Sequence, residues 1–319
     1  MRKFQPAVLI ILVALFSLNF WVCGCDENTR GVNEQESVKV VTTIFPLADI
    51  VRNIGGKEVE VSYLLPSGAS PHTFDPTVEQ MKKMSGADVF VHVGGGLDDW
   101  AAEVIEAAPS DLEVVELTEG VQLKEASSPS KFYEETANSD HSSTCKKEGG
   151  DPHIWLDPLL VRDEVLPKLE KVLAEAEPAK EDYFSDQREL YTQQLTQAHA
   201  EIEKKVSDFY SNQFITYHSA WKYFADRYGL EEAAVIAPYP GQEPSAAWMA
   251  ELVGVAEEIG ACVIFCEPQL NPAVAKQLAE EIGGEVAYLD PLGGEDLENR
   301  NSYIELLLYN TMKLEEALG

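Results

Sequence analysis

One stretch of helix, set between two series of alternating strands and helices, limits the fold more than any other feature of the chain. Phe184, Tyr191, Leu195, Ala198, Ile202, Val206 and Phe209 recur at intervals of 7, 4, 3, 4, 4 and 3 residues, which keeps them on one face of a continuous helix. From about residue 181 to 209 that helix would be roughly 43 Å long at 1.5 Å per residue, the length of a whole domain. Upstream, the apolar pattern predicts strands over residues 37–45, 59–65, 88–93 and 112–117, with helices over 46–54, 77–84 and 98–107. Downstream it predicts strands over 213–217, 232–236, 262–265 and 285–289, with helices over 220–228, 245–259, 272–282 and about 301–318. Strands that alternate with helices form parallel sheets. The expected fold is therefore α/β, with two lobes, each a parallel β-sheet flanked by helices, joined by one long helix. The first lobe spans 37–160 and carries a polar loop at 119–150, a helical segment fills 161–210, and the second lobe spans 211–319. A length of 319 residues agrees with two such lobes.

The first 24 residues form a separate object. Arg2 and Lys3 precede an apolar run from Ala7 to Leu18 broken only by Ser17, and Val22-Cys-Gly-Cys25 follows before the chain turns polar at Asp26. This is the pattern of a secretory signal peptide, too short and too quickly followed by charge to span a membrane well. The protein is expected to be exported. Gly24 before Cys25 resembles a bacterial lipobox, which implies that Cys25 is acylated and anchors the chain to a membrane. Residues 25–36 then read as a polar tether. If Cys25 is lipidated, Cys145, Cys262 and Cys266 remain, so one thiol stays free. Cys262 and Cys266 lie four residues apart in an apolar run read as a strand, about 13 Å and beyond disulfide reach. Both are read as buried thiols, with a bridge from Cys145 to one of them as the alternative; neither is assigned to a metal.

Charge narrows the function classes. Lys and Arg number 24 against 55 Asp and Glu, a net charge of −31, and a chain so poor in cations is not built to neutralise nucleic-acid phosphates. Six histidines offer the other chemistry. His72 sits just past the second predicted strand, His153 lies in Asp151-Pro-His-Ile-Trp-Leu-Asp-Pro158, His218 ends the strand at 213–217, and Asp290 follows the strand at 285–289. Open α/β sheets bind ligands beyond the carboxyl ends of their strands, so all four can face a cleft between the lobes. Three imidazoles and a carboxylate make a tetrahedral zinc site. Separations of 81, 65 and 72 residues match no local ligand motif, and by spacing alone each histidine reads more readily as a structural residue. His92, in a predicted strand, is read as a core or rim residue, and His199, on the long helix, as a packed or solvated helix residue. Trp155, Trp221 and Trp248 are read as core.

Several motifs, in order, resemble the zinc and manganese solute-binding proteins of bacterial ABC importers: Pro71-His-Thr-Phe-Asp-Pro76, Gly94-Gly-Gly-Leu-Asp-Asp-Trp100, Asp151 to Pro158, His218-Ser-Ala-Trp-Lys-Tyr-Phe224, Glu243-Pro-Ser245, Phe265-Cys-Glu-Pro-Gln269 and Leu289 to Gly293. The resemblance covers nearly all of the chain after the signal. It implies a rigid helix bridging the two lobes, a metal ion between them, and delivery to a membrane permease driven by an ATPase. Carried over residue by residue, the ligands are His72, His153, His218 and Asp290. A histidine at the third position resembles the zinc branch, and imidazole in place of carboxylate favours Zn2+ over Mn2+, with Mn2+ or Fe2+ as the alternative ions. The resemblance thus implies a monomeric receptor that performs no catalysis. Asp157 and Glu267 are candidates to hold ligand imidazoles in the metal-binding tautomer or, equally, to form structural salt bridges. His141 is the one histidine of the 119–150 loop, where zinc members carry a histidine-rich stretch, and is a candidate auxiliary metal residue. Three rival functions share these residues. One is manganese or iron capture by the same fold, another a surface adhesin, and the third a secreted zinc hydrolase, which would need an open coordination position.

Overall fold

The structure is a computed structural model that describes residues 37–125, 150–237 and 244–319. The expected signal peptide, Cys25 and its tether, and most of the polar loop with His141 and Cys145 lie outside the described residues. Ser37–Gly319 forms one compact unit.

Its first half contains β1 (Val38–Thr42), α1 (Phe45–Gly55), β2 (Val59–Tyr63), α2 (Val78–Lys83), β3 (Val89–His92), α3 (Ala101–Glu106) and β4 (Glu113–Glu116). These strands form a parallel sheet in the order β2-β1-β3-β4. Near residue 160 the helix is first interrupted by a π-helical stretch, Val161–Val165, and then resumes as α4 (Leu166–Ala176). Pro167 has no N–H to donate back one turn, which favours the wider turn just before it. The long helix α5 covers Glu181–Val206, about 39 Å at 1.5 Å per residue. Its second half continues with β5 (Gln213–Thr216), α6 (Lys222–Tyr228), β6 (Glu231–Val235), α7 (Ala246–Ile259), β7 (Val263–Cys266), α8 (Ala273–Ile282), β8 (Glu285–Tyr288) and α9 (Tyr303–Leu318). The second sheet repeats the plan of the first, all parallel in the order β6-β5-β7-β8.

Local chemistry explains the element ends. Thr77 and Gln80 form a reciprocal capping box at the start of α2, and Ser245 and Ser302 cap α7 and α9. In α5, Glu181 and Asp182 occupy the first turn and Lys204 and Lys205 the last, matching the helix dipole at both ends. Phe184, Tyr191, Leu195, Ala198, Ile202 and Val206 of its predicted face are buried. The helix stops three residues short of Phe209, where the Ser207 hydroxyl takes up the Lys204 carbonyl.

One apolar cluster runs through both halves. Residues of α1, α4 and α5 pack with Trp155, Trp221, Phe265 and Tyr303, and the long helix lies against α1, α4 and α9. Smaller clusters fill the outer face of each sheet. The reading of two buried thiols is corrected at one of them: β7 starts one residue later than expected, which leaves Cys262 exposed before the strand, while Cys266 is buried and both are free.

Candidate metal centre

Three segments distant in sequence bring imidazoles together. His72 lies on the long connection from β2 to α2, a loop held by Trp100, whose indole Nε1 donates to the Pro71 carbonyl at 2.9 Å while its ring meets Phe74 edge-on. Trp100 is placed in turn by Asp98, a buried carboxylate that accepts from the Thr43 hydroxyl at 2.7 Å and from the Val93 and Gly94 amides at 2.8 Å. Gly94 makes this turn possible at φ +78°, where a Cβ would also lie 2.2 Å from Glu116 Oε1.

His153 follows the described residues after the polar loop. Asp151 Oδ1 accepts from the His153 amide at 2.9 Å and lies 2.7 Å from its Nδ1. A carboxylate can only accept, which assigns the ring proton to Nδ1 and leaves Nε2 as a lone pair facing the site. The far lobe clamps this segment. Tyr223 donates its hydroxyl to the Asp151 carbonyl at 3.0 Å, Trp155 Nε1 donates to the Pro291 carbonyl at 2.7 Å, and the Tyr303 hydroxyl donates to the Trp155 carbonyl.

His218 stands just past β5, at the point where the second sheet's strand order reverses, the position such folds use for ligands. Burial, with the neighbouring His153 and His72, holds its imidazole well below the ordinary histidine range, the Ala237 backbone pulling weakly the other way. The neutral ring is the form that can offer a nitrogen lone pair to a metal.

The three rings have centroids 5.0, 5.3 and 5.5 Å apart. His72 Nε2 and His218 Nε2 are 3.2 Å apart, and the nitrogens offered by all three histidines lie within 4.8 Å of one another. Two nitrogens each about 2.05 Å from a tetrahedral zinc would be separated by about 3.4 Å. The donors therefore fit such an ion, and a carboxylate-free trio of imidazoles suits zinc better than manganese. The pocket they line, with Trp155, Glu267 and Gln269, encloses about 10 Å³, room for one water-sized particle.

The other expected residues are engaged in different ways. Asp290 is fully buried and is not among the residues whose ligand atoms lie within 4.8 Å of one another. Its Oδ1 accepts from Gln269 at 2.9 Å and from the Leu292 and Gly293 amides at 3.0 and 3.1 Å, and its Oδ2 takes Arg300 at 2.8 Å. Asp157 takes the salt-bridge alternative, capping the turn at Leu159 and Leu160 and pairing with Arg227 of α6 at 2.7 Å. Glu267 lines the pocket, and burial, with Asp290 and Glu232 nearby, raises its carboxyl well above the ordinary range. His92 stacks on Phe90 near Asp98, and His199 meets the Tyr228 hydroxyl at 3.2 Å, both packed as expected. Trp155, Trp221 and Trp248 are core, although Trp155 also walls the pocket. The partner of His153 that sequence reasoning missed is Asp151, two residues earlier in a motif already singled out; a carboxylate that close in sequence to a candidate ligand was the available signal.

Comparison with known proteins finds zinc-binding relatives. A family model described as ZnuA, the periplasmic component A of a zinc-uptake complex, matches residues 40–317. The zinc-binding protein AdcA of Streptococcus pyogenes serotype M3 is 30% identical over 292 residues, covering 90% of this chain and 56% of that protein. The chain thus spans little more than half the length of that relative. The high-affinity zinc uptake system protein ZnuA of Bacillus subtilis is 29% identical over 318 residues, covering 97% of both. A crystal structure of ZnuA superposes with a TM-score of 0.75 at 27% identity, covering 88% of this chain and 99% of that one.

Proposed function

Because the chain belongs to the ZnuA family of zinc-uptake components, we propose that it is an extracytoplasmic receptor that captures zinc between its two sheets and delivers it to the permease of an ABC importer. The observation that carries this reading is the meeting of His72, His153 and His218, whose offered nitrogens lie within 4.8 Å of one another although their residues are 65 and 81 positions apart. Zinc is the cargo, and the three imidazoles are its proposed nitrogen ligands. Asp151 keeps His153 in the binding tautomer, and burial keeps His218 unprotonated, so at least two of the three donors meet the ion in the form that binds it.

Delivery follows from the same geometry. The hydrogen bonds from Tyr223, Trp155 and Tyr303 tie the His153 segment to the other half, and the shared core with the stiff α5 opposes a wide hinge. Release then proceeds by displacement of the His72 loop, the least buried of the three ligand segments, rather than by parting of the lobes. The receptor acts as a monomer, held at the membrane by acylated Cys25 on the periplasmic or cell-surface side. The ATPase of the importer supplies the energy for transport and the receptor itself performs no catalysis. Among the described residues no helix is long and apolar enough to cross a membrane.

Metal analysis and titration test this. The chain from Asp26 onward, purified without affinity histidines and stripped with chelator, should take up one tight equivalent of zinc, and His218→Ala should weaken it sharply. Tight manganese with weak zinc would move the protein to the manganese reading, and no uptake of either would end the receptor reading.

A further inference from the structure

The polar loop expected over residues 119–150 leaves the first half and returns to it through a narrow neck, and the described residues show how that neck is built. The Asp151 amide donates to the Lys124 carbonyl at 2.7 Å. A Cβ on Gly150 would stand 2.5 Å from both the Leu123 Cβ and the Lys124 carbonyl oxygen, so glycine is what lets the outgoing and returning segments approach so closely.

In an ordinary pair of extended segments the second bond would run from the Lys124 amide to the Asp151 carbonyl. Here a hydroxyl from the second half stands between them. Tyr223 of α6 accepts from the Lys124 amide at 3.0 Å and donates to the Asp151 carbonyl at 3.0 Å, using the one proton and a lone pair that a phenol offers. Tyr223 is fully buried, and Lys124 closes over it. The Lys124 Nζ lies 5.4 Å from the ring centroid and pairs at 2.6 Å with Asp226, three residues further along α6.

This wedge joins two of the candidate ligand segments. Tyr223 follows His218 by five residues, and Asp151, whose backbone it grips, holds the His153 amide and Nδ1 with its carboxylate at 2.9 and 2.7 Å. Trp155 and Tyr303 secure the chain beyond His153; Tyr223 secures the side from which the loop returns. Spreading the neck breaks both bonds to Tyr223 and displaces the residue that fixes His153.

We propose that Tyr223 is a positioning residue for zinc retention: its hydroxyl, wedged into the neck of the loop, fixes Asp151 and through it the ring of His153, so that opening of the neck hastens release of the ion. This role, which rests on the zinc-receptor reading above and adds a kinetic control to it, requires no contact between Tyr223 and the metal.

Stopped-flow mixing of zinc-loaded protein with excess chelator gives the release rate, and mixing of stripped protein with zinc gives the capture rate. The comparison takes wild type, Tyr223→Phe, Gly150→Ala, Asp151→Asn and the double variant of Tyr223→Phe with Asp151→Asn, each checked for folding by metal-free melting. Tyr223→Phe keeps the ring and removes both bonds. Release should quicken about 10-fold, the lower end of what outer partners of metal ligands contribute, while capture changes by less than about twofold. Gly150→Ala forces the neck apart without touching Tyr223 and should quicken release as well. Asp151→Asn already uncouples His153 from the neck, so adding Tyr223→Phe to it should change release by less than about twofold. Release from Tyr223→Phe within about twofold of wild type overturns the proposal. A double variant in which the two effects multiply in full overturns it too, because Tyr223 would then act by a route that bypasses Asp151. Should Tyr223→Phe fail to fold, wild-type release from Gly150→Ala overturns it alone. A wild type that takes up no zinc at equilibrium overturns the receptor reading and this role with it, whereas tight zinc with release rates unaltered in the variants leaves the receptor standing and removes only Tyr223.

Discussion

The depressed His218 imidazole predicts a measurable loss of stability in acid. In the folded, metal-free protein burial and the two neighbouring rings hold His218 neutral well below its ordinary range, whereas in the unfolded chain it titrates near 6.5. Below that value the unfolded state binds a proton that the native state refuses, so stability falls as pH drops. Between pH 7 and pH 5 the contribution has an upper limit of about 2 kcal/mol, reached by a native ring that takes up no proton in that range. His218→Asn removes the titrating ring. Urea unfolding of both proteins with chelator present, at pH 7 and pH 5, should show wild type losing up to about 2 kcal/mol relative to the variant over that interval. Subtracting the variant cancels the groups that do not interact with His218; Glu267, whose raised carboxyl binds its proton in the native state first, pushes in the opposite direction, so its share of stability grows as pH falls. A wild-type-minus-variant difference that is the same at both pH values would refute the argument, because it would mean that the native ring takes up its proton as readily as the unfolded one.

Further expectations follow from named contacts. Asp151→Asn replaces the carboxylate that fixes His153 Nδ1 at 2.7 Å and should weaken zinc binding about 10- to 100-fold with little change in fold; a change under threefold in chelator competition would count against its role. Trp155→Phe leaves the buried Pro291 carbonyl without its donor and a cavity beside His153; thermal or urea unfolding should report a loss of about 2–4 kcal/mol. Arg227→Ala strips the partner from Asp157, whose side chain is 4% exposed while that of Arg227 is 35% exposed. Solvent screens the arginine, so about 1–2 kcal/mol of stability is expected to be lost, and a double-mutant cycle with Asp157→Asn should assign most of it to the pair.

Why so much of the fold is legible comes down to period. A 26-residue helix with its apolar face at intervals of three and four can be read directly, and each predicted strand recurs with ends displaced by a few residues at most. Where the reading slipped, at Phe209 and Cys262, the signal is a helix end or strand start, set by a serine hydroxyl or by register rather than by periodicity. That His72, His153 and His218 come together as candidate ligands was expected through the resemblance of their motifs, since by spacing alone each reads as a structural residue.

What the sequence by itself determined is thus the two parallel sheets, the long helix between them and the three imidazoles. Tertiary structure alone decided how carboxylates share the work around those imidazoles. Asp151, Asp157, Glu267 and Asp290 are chemically alike in one dimension. In three, the first holds a ring nitrogen, the second caps a turn and binds Arg227, the third faces the pocket with a bare oxygen, and the fourth is saturated by Arg300, Gln269 and two amides. A carboxylate's role is fixed by which donors reach its lone pairs, and those donors come from segments up to 70 residues away, a distance over which local pattern carries no information.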